Sequence, residues 1–315
     1  MAKATIAIHG GAGAIARASM NAGDEQRYRQ ALSLIVADAQ SRLAAGQSAL
    51  DVVTEAVRQL EECPLFNAGR GAVLTHQGQH ELDACVMDGS TRAAGAVAGV
   101  TRVRNPVLAA RAVLENSPHV LLIGEGAESF AEAQGLERVE NHFFTTPQRR
   151  AQLERAIADN QMRLDHDAGS LSPDRKFGTV GAVARDSAGG LAAATSTGGI
   201  TNKQAGRVGD SPLPGAGCYA SAGVAVSCTG SGEVFMRLLA AYDVAALMEY
   251  GGLSLAQATQ KVIMEKIPEL GGSGGLIAVD AAGNLALPFN SEGMYRAYGV
   301  AGEQPVVAIY REDAR

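Results

Sequence analysis

The spacing of apolar positions changes several times along the chain, and each change marks the boundary of a predicted element. Apolar residues recur at helical spacing twice between residues 24 and 62, with Gly46 between the two runs. Ser48 and Asp51 form a capping start for the second run, and Pro64 ends it. Shorter runs in the first half predict strands at 4–8, 82–87, 93–100 and 119–123, and helices at 106–115, 127–134 and 147–158.

The alternation resumes at Thr179, after residues 159–177, which show little periodicity and are interpreted as an exposed linker. Residues 179–185 and 190–197 predict a hairpin whose turn centres near Ala188. Since Thr179 and Thr197 are equally distant from Ala188 in sequence, they are expected to face each other across the two strands. Later runs predict strands at 224–229, 276–280 and 285–289, helices at 233–249 and 254–266, and a long Gly- and Pro-rich loop at 199–217.

Hairpins dominate this order of elements, which favours antiparallel sheets over βαβ crossovers. In each half of the chain, strands are followed by two helices and then by strands again. Two helical layers flanking two packed sheets fit this order. The predicted fold class is therefore α+β, arranged as an αββα sandwich.

Composition excludes several classes of function. The chain has 315 residues, 46% of them hydrophobic, which is ample for a large core, and its net charge of −6 indicates neither a nucleic-acid nor a membrane partner. The start of the sequence lacks the pattern of a signal peptide, and no apolar window is long enough to span a bilayer. The four cysteines form no C-x-x-C pair, so we expect reduced thiols in a cytoplasmic protein.

One alternative class of function comes from the stretch Gly11-Ala12-Gly13-Ala14-Ile15-Ala16, which matches the dinucleotide-binding fingerprint after a strand. That fingerprint requires a second parallel strand soon afterwards, whereas two long helices follow here. The six histidines suggest neither a metal cluster nor a Ser-His-Asp arrangement. A dinucleotide-binding oxidoreductase therefore remains only as an alternative hypothesis.

The best candidate for a nucleophilic hydroxyl group is that of Thr179, which directly follows Gly178 at the start of an apolar run. A threonine hydroxyl is a poor nucleophile unless a base lies beside it, and a free amine on the same residue can be that base. Cleavage before Thr179 would release such an amine, with a reference pKa of about 7.7–8.0. We therefore predict that the chain is cut between Gly178 and Thr179.

Two further groups of residues have both a chemical and an ordinary interpretation. Arg207 and Asp210 lie three residues apart in a Gly-rich loop, where they are able to grip the two ends of an amino-acid zwitterion or to form a common surface ion pair. Thr229, Gly230 and Gly232 lie between a strand and a helix, where they offer oxyanion donors or an ordinary helix start. Taken alone, each spacing favours the ordinary interpretation.

Taken together, these segments resemble the plant-type, or type III, L-asparaginases, also called isoaspartyl peptidases, and the bacterial isoaspartyl peptidases in particular. The stretches that carry the resemblance, in order, are Ile8-His9-Gly10-Gly11-Ala12-Gly13, Phe66-Asn67-Ala68-Gly69, Glu81-Leu82-Asp83-Ala84, Gly178-Thr179-Val180-Gly181-Ala182-Val183, Ala194-Thr195-Ser196-Thr197-Gly198-Gly199, Gly206-Arg207-Val208-Gly209-Asp210-Ser211, Cys228-Thr229-Gly230 and Gly271-Gly272-Ser273-Gly274-Gly275. They run through nearly the whole chain, and their joint occurrence favours the chemical interpretation of both groups above.

The resemblance implies the four-layer αββα sandwich of the N-terminal-nucleophile hydrolases, built from one domain over 1–315. It implies self-cleavage into 1–178, which includes the linker 159–178, and 179–315, with two such cleaved pairs forming a dimer. The implied substrates are small molecules, L-asparagine and isoaspartyl dipeptides, from which L-aspartate is released without a catalytic cofactor.

The resemblance also implies a role for each site residue. Thr179 is the nucleophile, Thr197 orients it, and Thr229 and Gly230 stabilise the oxyanion. Arg207 binds the substrate's α-carboxylate and Asp210 its α-amino group, with Gly230 and Gly232 lining the substrate site. Asn67 and Gly11 are expected to contact the residues that bind the substrate, not the substrate itself. A structural sodium ion is expected on backbone carbonyls of a loop comprising Leu60, Glu61, Cys63, Phe66, Ala68 and Arg70.

Two related alternatives stay open at this point. Glycosylasparaginases share the fold, but they usually carry an export signal and an acidic residue before the nucleophile, where this chain has Gly178. A member of the family that never cleaves itself is also compatible with the sequence.

Overall fold

The computed structural model describes residues 3–13, 15, 17, 20–165 and 178–314. Within these residues the strands alternate with helices in both halves of the chain. The strands are β1 (Thr5–Gly13), β2 (Leu82–Asp88), β3 (Ala94–Val100), β4 (Leu121–Ile123), β5 (Thr179–Arg185), β6 (Leu191–Thr197), β7 (Cys218–Ala220), β8 (Val224–Gly230), β9 (Gly274–Asp280), β10 (Leu285–Ala286), β11 (Gly293–Val300) and β12 (Val306–Ala308).

The helices fall into two groups, one before residue 178 and one after β8. They are α1 (Ala22–Ala44), α2 (Ala49–Glu62), α3 (Pro106–Asn116), α4 (Gly124–Ala133), α5 (Pro147–Asp165), α6 (Gly232–Leu238), α7 (Ala240–Glu249), α8 (Leu255–Lys261) and α9 (Ile267–Glu269), with a π-helical turn at Val262–Lys266. The Ser48 side chain caps α2 by accepting a hydrogen bond from the Asp51 amide at 3.1 Å, as the sequence predicts. No helix in the described part of the chain is long and apolar enough to cross a bilayer.

The strands form two sheets. The larger has the order β12-β11-β1-β5-β6-β2-β3-β4 and the smaller the order β10-β9-β8-β7. The ladders are antiparallel except for the pairing of β3 with β4, whose connection passes through α3. β5 and β6 lie at the centre of the larger sheet, and their register pairs Thr179 with Thr197, which confirms the predicted hairpin.

The two faces of the larger sheet contribute to two different cores. Val180, Ala182 and Ala184 of β5 pack with residues of α1, α2 and α3, whereas Val183 packs with the smaller sheet and with α7 and α8. This alternation is the period of a strand that is buried on both faces. The result is four layers, a helical layer, two sheets and a second helical layer, as expected from the sequence.

Several boundaries differ from the sequence prediction. The predicted helix at 233–249 is two helices, because Leu239 takes a left-handed conformation at φ 53° between α6 and α7. Strands β7, β11 and β12 were not predicted, and the predicted strand at 285–289 is only two residues long. Helix α5 continues to Asp165, so the linker prediction is wrong for 159–165. Residues 166–177 of that predicted linker lie outside the described residues.

Candidate active site

A pocket lies where β5 begins and β6 and β8 end. Its walls come from the first residue of β5, the last residues of β6 and β8, the loop after β6 and the start of α6. The lining residues are Gly178, Thr179, Thr197, Gly199, Ile200, Arg207, Gly209, Asp210, Ser211, Gly230 and Gly232. The fold therefore gathers most of the predicted catalytic and substrate-binding residues around one cavity, although they span more than fifty positions of the sequence.

The centre of this pocket is a cluster of three hydroxyl groups. Thr179 Oγ1 lies 3.4 Å from Thr197 Oγ1 and 3.5 Å from Ser211 Oγ, and all three side chains are buried. The Gly199 amide donates to Thr197 Oγ1 at 2.9 Å, and the Thr197 hydroxyl in turn donates to the Gly178 carbonyl at 3.4 Å. Thr197 is thus held between the two groups that a reaction at the Gly178–Thr179 bond involves.

The peptide before Thr179 packs closely against Asn67. A Cβ atom on Gly178 would lie 2.8 Å from the Asn67 Cβ, so only glycine fits here. Asn67 Nδ2 donates to the Gly199 carbonyl at 2.7 Å, and its Oδ1 accepts from the Val73 amide at 2.8 Å. Asn67 does not line the pocket, but it packs against Gly178, just before Thr179, and bonds Gly199, two residues after Thr197.

A second group of donors lies at the end of β8. Gly230 lines the pocket, whereas Thr229 is fully buried beside it and is not part of the lining. Thr229 Oγ1 accepts from the Ala12 amide at 3.2 Å, which leaves its own proton available to another acceptor. The bulge in β1 between His9 and Gly11, with Gly11 at φ 109°, brings that amide to Thr229. Gly11 therefore lies one residue from the amide that contacts Thr229.

The far end of the pocket is charged. Arg207 donates from Nε and Nη2 to the two carboxylate oxygens of Glu233, each at 2.9 Å, although 60% of the Glu233 side chain is exposed. Asp210 is buried, and burial raises its pKa to about 7 despite the nearby Arg207 guanidinium. Its Oδ2 has no hydrogen-bond partner within the described residues. A buried carboxylate oxygen without a donor is suited to a cationic ligand.

Gly232, the first residue of α6, lies against Arg207 and Asp210. A Cβ atom at this position would lie 2.7 Å from Arg207 Nη2 and 3.1 Å from Asp210 Oδ1. Glycine at 232 thus leaves room for both the cation and the anion to face the pocket.

Three polar residues near the pocket had no predicted role. Ser211 follows Asp210 directly in the Gly-rich loop, and this adjacency to a predicted site residue is a signal that could have identified it. Glu233 opens α6, far from Arg207 in sequence, so no spacing revealed their pairing. Lys203 is buried behind Arg207, with Nζ donating to the Glu81 carbonyl at 2.9 Å, and burial lowers its pKa. The positive charge of Lys203 lowers the pKa of Asp83, but burial of Asp83 has the larger, opposite effect and raises that pKa to about 6.

The predicted sodium loop begins in the last turn of α2 and is tightly folded. Gly69 at φ 47° lets the Arg70 amide donate to the Glu61 carbonyl at 2.7 Å, and the Leu60 and Cys63 carbonyls also accept hydrogen bonds. The carbonyls of Phe66, Ala68 and Arg70 receive no hydrogen bond from the described part of the chain. The Glu61 carboxyl instead accepts from Ser196 and from the Val107 amide, and burial raises its pKa to about 8. Within the described residues no cluster of three His, Cys, Asp or Glu side chains is able to bind a metal.

The structure argues against a dinucleotide-binding oxidoreductase. The strand that carries Gly11 and Gly13 pairs antiparallel with both of its neighbours, β11 and β5. The fingerprint requires a parallel βαβ unit at this point. Ala14 and Ala16, which complete the match in sequence, lie outside the described residues.

Two sheets between two helical layers, with a pocket at the first residue of a central strand, define the fold as that of the N-terminal-nucleophile hydrolases. A family model described as asparaginase matches residues 2–309, and the chain belongs to this family. The resemblance stated from the sequence is thereby confirmed.

Individual relatives agree over nearly the full length. The chain is 70% identical over 313 residues to an isoaspartyl peptidase of Salmonella typhimurium, covering 99% of this chain and 100% of the relative. It is 67% identical over 313 residues to an isoaspartyl peptidase of Escherichia coli, covering 99% and 98%. A plant-type L-asparaginase of Pyrococcus horikoshii is 38% identical over 313 residues, covering 96% and 99%.

Proposed function

We propose that this protein hydrolyses the side-chain amide of L-asparagine and the β-aspartyl bond of isoaspartyl dipeptides, releasing L-aspartate, with Thr179 as the nucleophile. The observation that carries the proposal is the position of the Thr179 hydroxyl, 3.4 Å from Thr197 Oγ1 in a pocket that also holds Arg207 and Asp210. The names of relatives that are 70% and 67% identical support the same substrates.

The active form arises by self-cleavage of the single domain 1–315 between Gly178 and Thr179. Thr179 Oγ1 bonds to the Gly178 carbonyl carbon, the carbon–nitrogen bond breaks, and the nitrogen receives the hydroxyl proton. Water then hydrolyses the resulting ester, which leaves a carboxylate on Gly178 and restores the hydroxyl beside a free α-amine. Support comes from the Thr197 hydroxyl, which polarises the Gly178 carbonyl from 3.4 Å.

Substrate hydrolysis uses the amine that cleavage releases. The α-amine of Thr179 takes the hydroxyl proton as Oγ1 attacks the β-carbonyl carbon, and the Gly230 amide and the Thr229 hydroxyl stabilise the oxyanion. The carbon–nitrogen bond breaks as the ammonium returns its proton to the leaving nitrogen. Water attacks the ester with the same amine as base, aspartate leaves, and the proton goes back to Oγ1.

Both substrates share an aspartyl unit with a free α-carboxylate and a free α-ammonium group. Arg207 binds the carboxylate and Asp210 the ammonium, for which its buried, unpaired Oδ2 is suited. The Arg207 fork is held by Glu233, so the substrate carboxylate shares the guanidinium with Glu233 or displaces it.

Three accompanying features belong to the same proposal. The carbonyls of Phe66, Ala68 and Arg70, with those of Leu60, Glu61 and Cys63, would hold a structural sodium ion, which takes no part in the chemistry. Cleaved pairs assemble as dimers. The four unpaired thiols Cys63, Cys85, Cys218 and Cys228 support a cytoplasmic location, where thiols stay reduced.

The test combines a denaturing gel, intact mass and ammonia release from L-asparagine. The wild-type chain is expected to give two fragments with masses that place the cut between Gly178 and Thr179. Thr179→Ala is expected to remain one chain and to release no ammonia, whereas Thr197→Val cleaves more slowly. A stable full-length wild-type chain without ammonia release would refute the proposal.

A further inference from the structure

A second pocket lies next to Gly178. Residues of its wall include Asn67, Phe66, Tyr28, Tyr295 and Arg149. Gly178 belongs to the walls of both this pocket and the pocket of Thr179. The residue at which the chain is proposed to be cut therefore lies against two cavities.

The second pocket contains a cation, Arg149, that forms no ion pair with an acid of the described residues. Arg149 is half-buried and donates from Nε to the Gly71 carbonyl at 2.6 Å and from Nη1 to Gln152 Oε1 at 2.9 Å. No carboxylate of the described residues pairs with its guanidinium, and burial lowers its pKa. A guanidinium group that faces a pocket and has no carboxylate partner among the described residues is suited to binding a carboxylate ligand.

Aromatic rings form the apolar side of the same cavity. Tyr28 and Tyr295 stack with centroids 4.2 Å apart and an interplanar angle of 13°, and Phe66 meets each of them edge-on. The pocket thus offers one cationic end and one apolar wall, which is the combination that an amino acid with a free carboxylate and an apolar side chain requires.

The chemistry at Thr179 directs the leaving group toward this pocket. The leaving nitrogen receives its proton from the Thr179 amine, so it lies within about 3 Å of that nitrogen. Before cleavage the nitrogen of the Thr179 amine is the peptide nitrogen bonded to Gly178. The direction that cleavage opens at the amine is therefore the one that Gly178 occupied, and the second pocket adjoins Gly178.

We propose that the second pocket is the subsite for the leaving residue of an isoaspartyl dipeptide. Arg149 binds the free α-carboxylate of that residue, and the Tyr28–Tyr295 stack contacts its side chain. The proposal rests on the function proposed above, and it adds a reason for turning over dipeptides in addition to L-asparagine, whose leaving group is only ammonia.

The experiment compares three substrates: β-aspartyl-leucine, its C-terminal carboxamide and L-asparagine. The wild-type enzyme is expected to prefer the acid over the carboxamide by roughly 10- to 100-fold in kcat/KM, the contribution of a charged hydrogen bond. Arg149→Gln is expected to abolish that preference while its kcat/KM for L-asparagine stays unchanged. Arg149→Lys keeps the charge and is expected to retain part of the preference. Arg150→Gln, at the exposed next position of α5, is the matched control and is expected to behave as wild type.

The outcomes separate the subsite from the function on which it rests. A wild-type enzyme that splits L-asparagine but does not distinguish acid from carboxamide overturns the subsite alone, whether or not any variant folds. An equal loss on all three substrates in Arg149→Gln gives Arg149 a purely structural role and also overturns it. A wild-type chain that splits none of the three substrates overturns the proposed function and the subsite together.

Discussion

Replacing Gly232 by alanine is expected to weaken substrate binding without harming the fold. The new Cβ would lie 2.7 Å from Arg207 Nη2, whereas ordinary contact begins at 3.4 Å. The guanidinium therefore has to retreat by roughly 0.7 Å, and Asp210 Oδ1, at 3.1 Å, has to move slightly. Because the atom that moves most is the tip of a flexible side chain, the free energy of unfolding should change little.

The functional cost follows from what the displaced group is proposed to bind. A hydrogen bond to a charged group contributes about 1.5–3 kcal/mol. Loss of one such bond between Arg207 and the substrate carboxylate lowers kcat/KM for L-asparagine by roughly 10- to 150-fold. The loss should be seen mainly in KM, since the carboxylate is bound equally in the ground and transition states.

The assay is ammonia release at varied L-asparagine concentration, with the melting temperature and the fragment pattern of each variant as controls. Gly126→Ala is the matched control, because Gly126 also lies in the first turn of a helix, α4, and a Cβ there would meet nothing within 4 Å. A Gly232→Ala enzyme that is folded, cleaved and within about twofold of wild type in kcat/KM would refute a role for Arg207 in binding substrate.

Three further outcomes are expected. Gly178→Ala should slow self-cleavage strongly, since its Cβ would lie 2.8 Å from the Asn67 Cβ; the fragment ratio on a denaturing gel over time checks this. The affinity for L-aspartate should fall as the pH decreases through about 7, because the raised pKa of Asp210 leaves it neutral, and unable to attract an ammonium, below that value. Calorimetric titration from pH 8 to roughly 6 measures it, and a flat profile would contradict the assignment. Glu233→Gln should lower KM for L-asparagine by no more than about fivefold, since it frees Arg207 from an exposed ion pair, and steady-state kinetics measures the change.

The local parts of the site were predictable from sequence. The pairing of Thr179 with Thr197 follows from a short hairpin, where the turn alone fixes the register. Ser48 and Pro64 mark the ends of α2 for similarly local reasons. Arg207, Asp210 and Gly230 meet in one pocket as the resemblance implies, although nothing in their spacing required it.

What sequence did not reveal depends on distant contacts. β11 was missed because its partner, β1, lies at the other end of the chain. The break at Leu239 was missed because a left-handed conformation is rare for leucine, so only the surrounding packing can impose it. The pairing of Arg207 with Glu233 and the hydrogen bond from Arg149 to the Gly71 carbonyl likewise exist only once the elements are assembled.

The strand order of the larger sheet interlocks the two pieces that cleavage would produce. One piece carries β1 to β4 and the other β5 to β12, yet β1 lies between β11 and β5, and β2 pairs with β6. The pieces therefore cannot separate without breaking three ladders. An uncut chain refolds as a first-order process, whereas a cut molecule that unfolds has to find its counterpart again, at a rate that depends on concentration. Cutting thus makes folding a largely one-way event, and the lifetime of the enzyme becomes a matter of its unfolding rate.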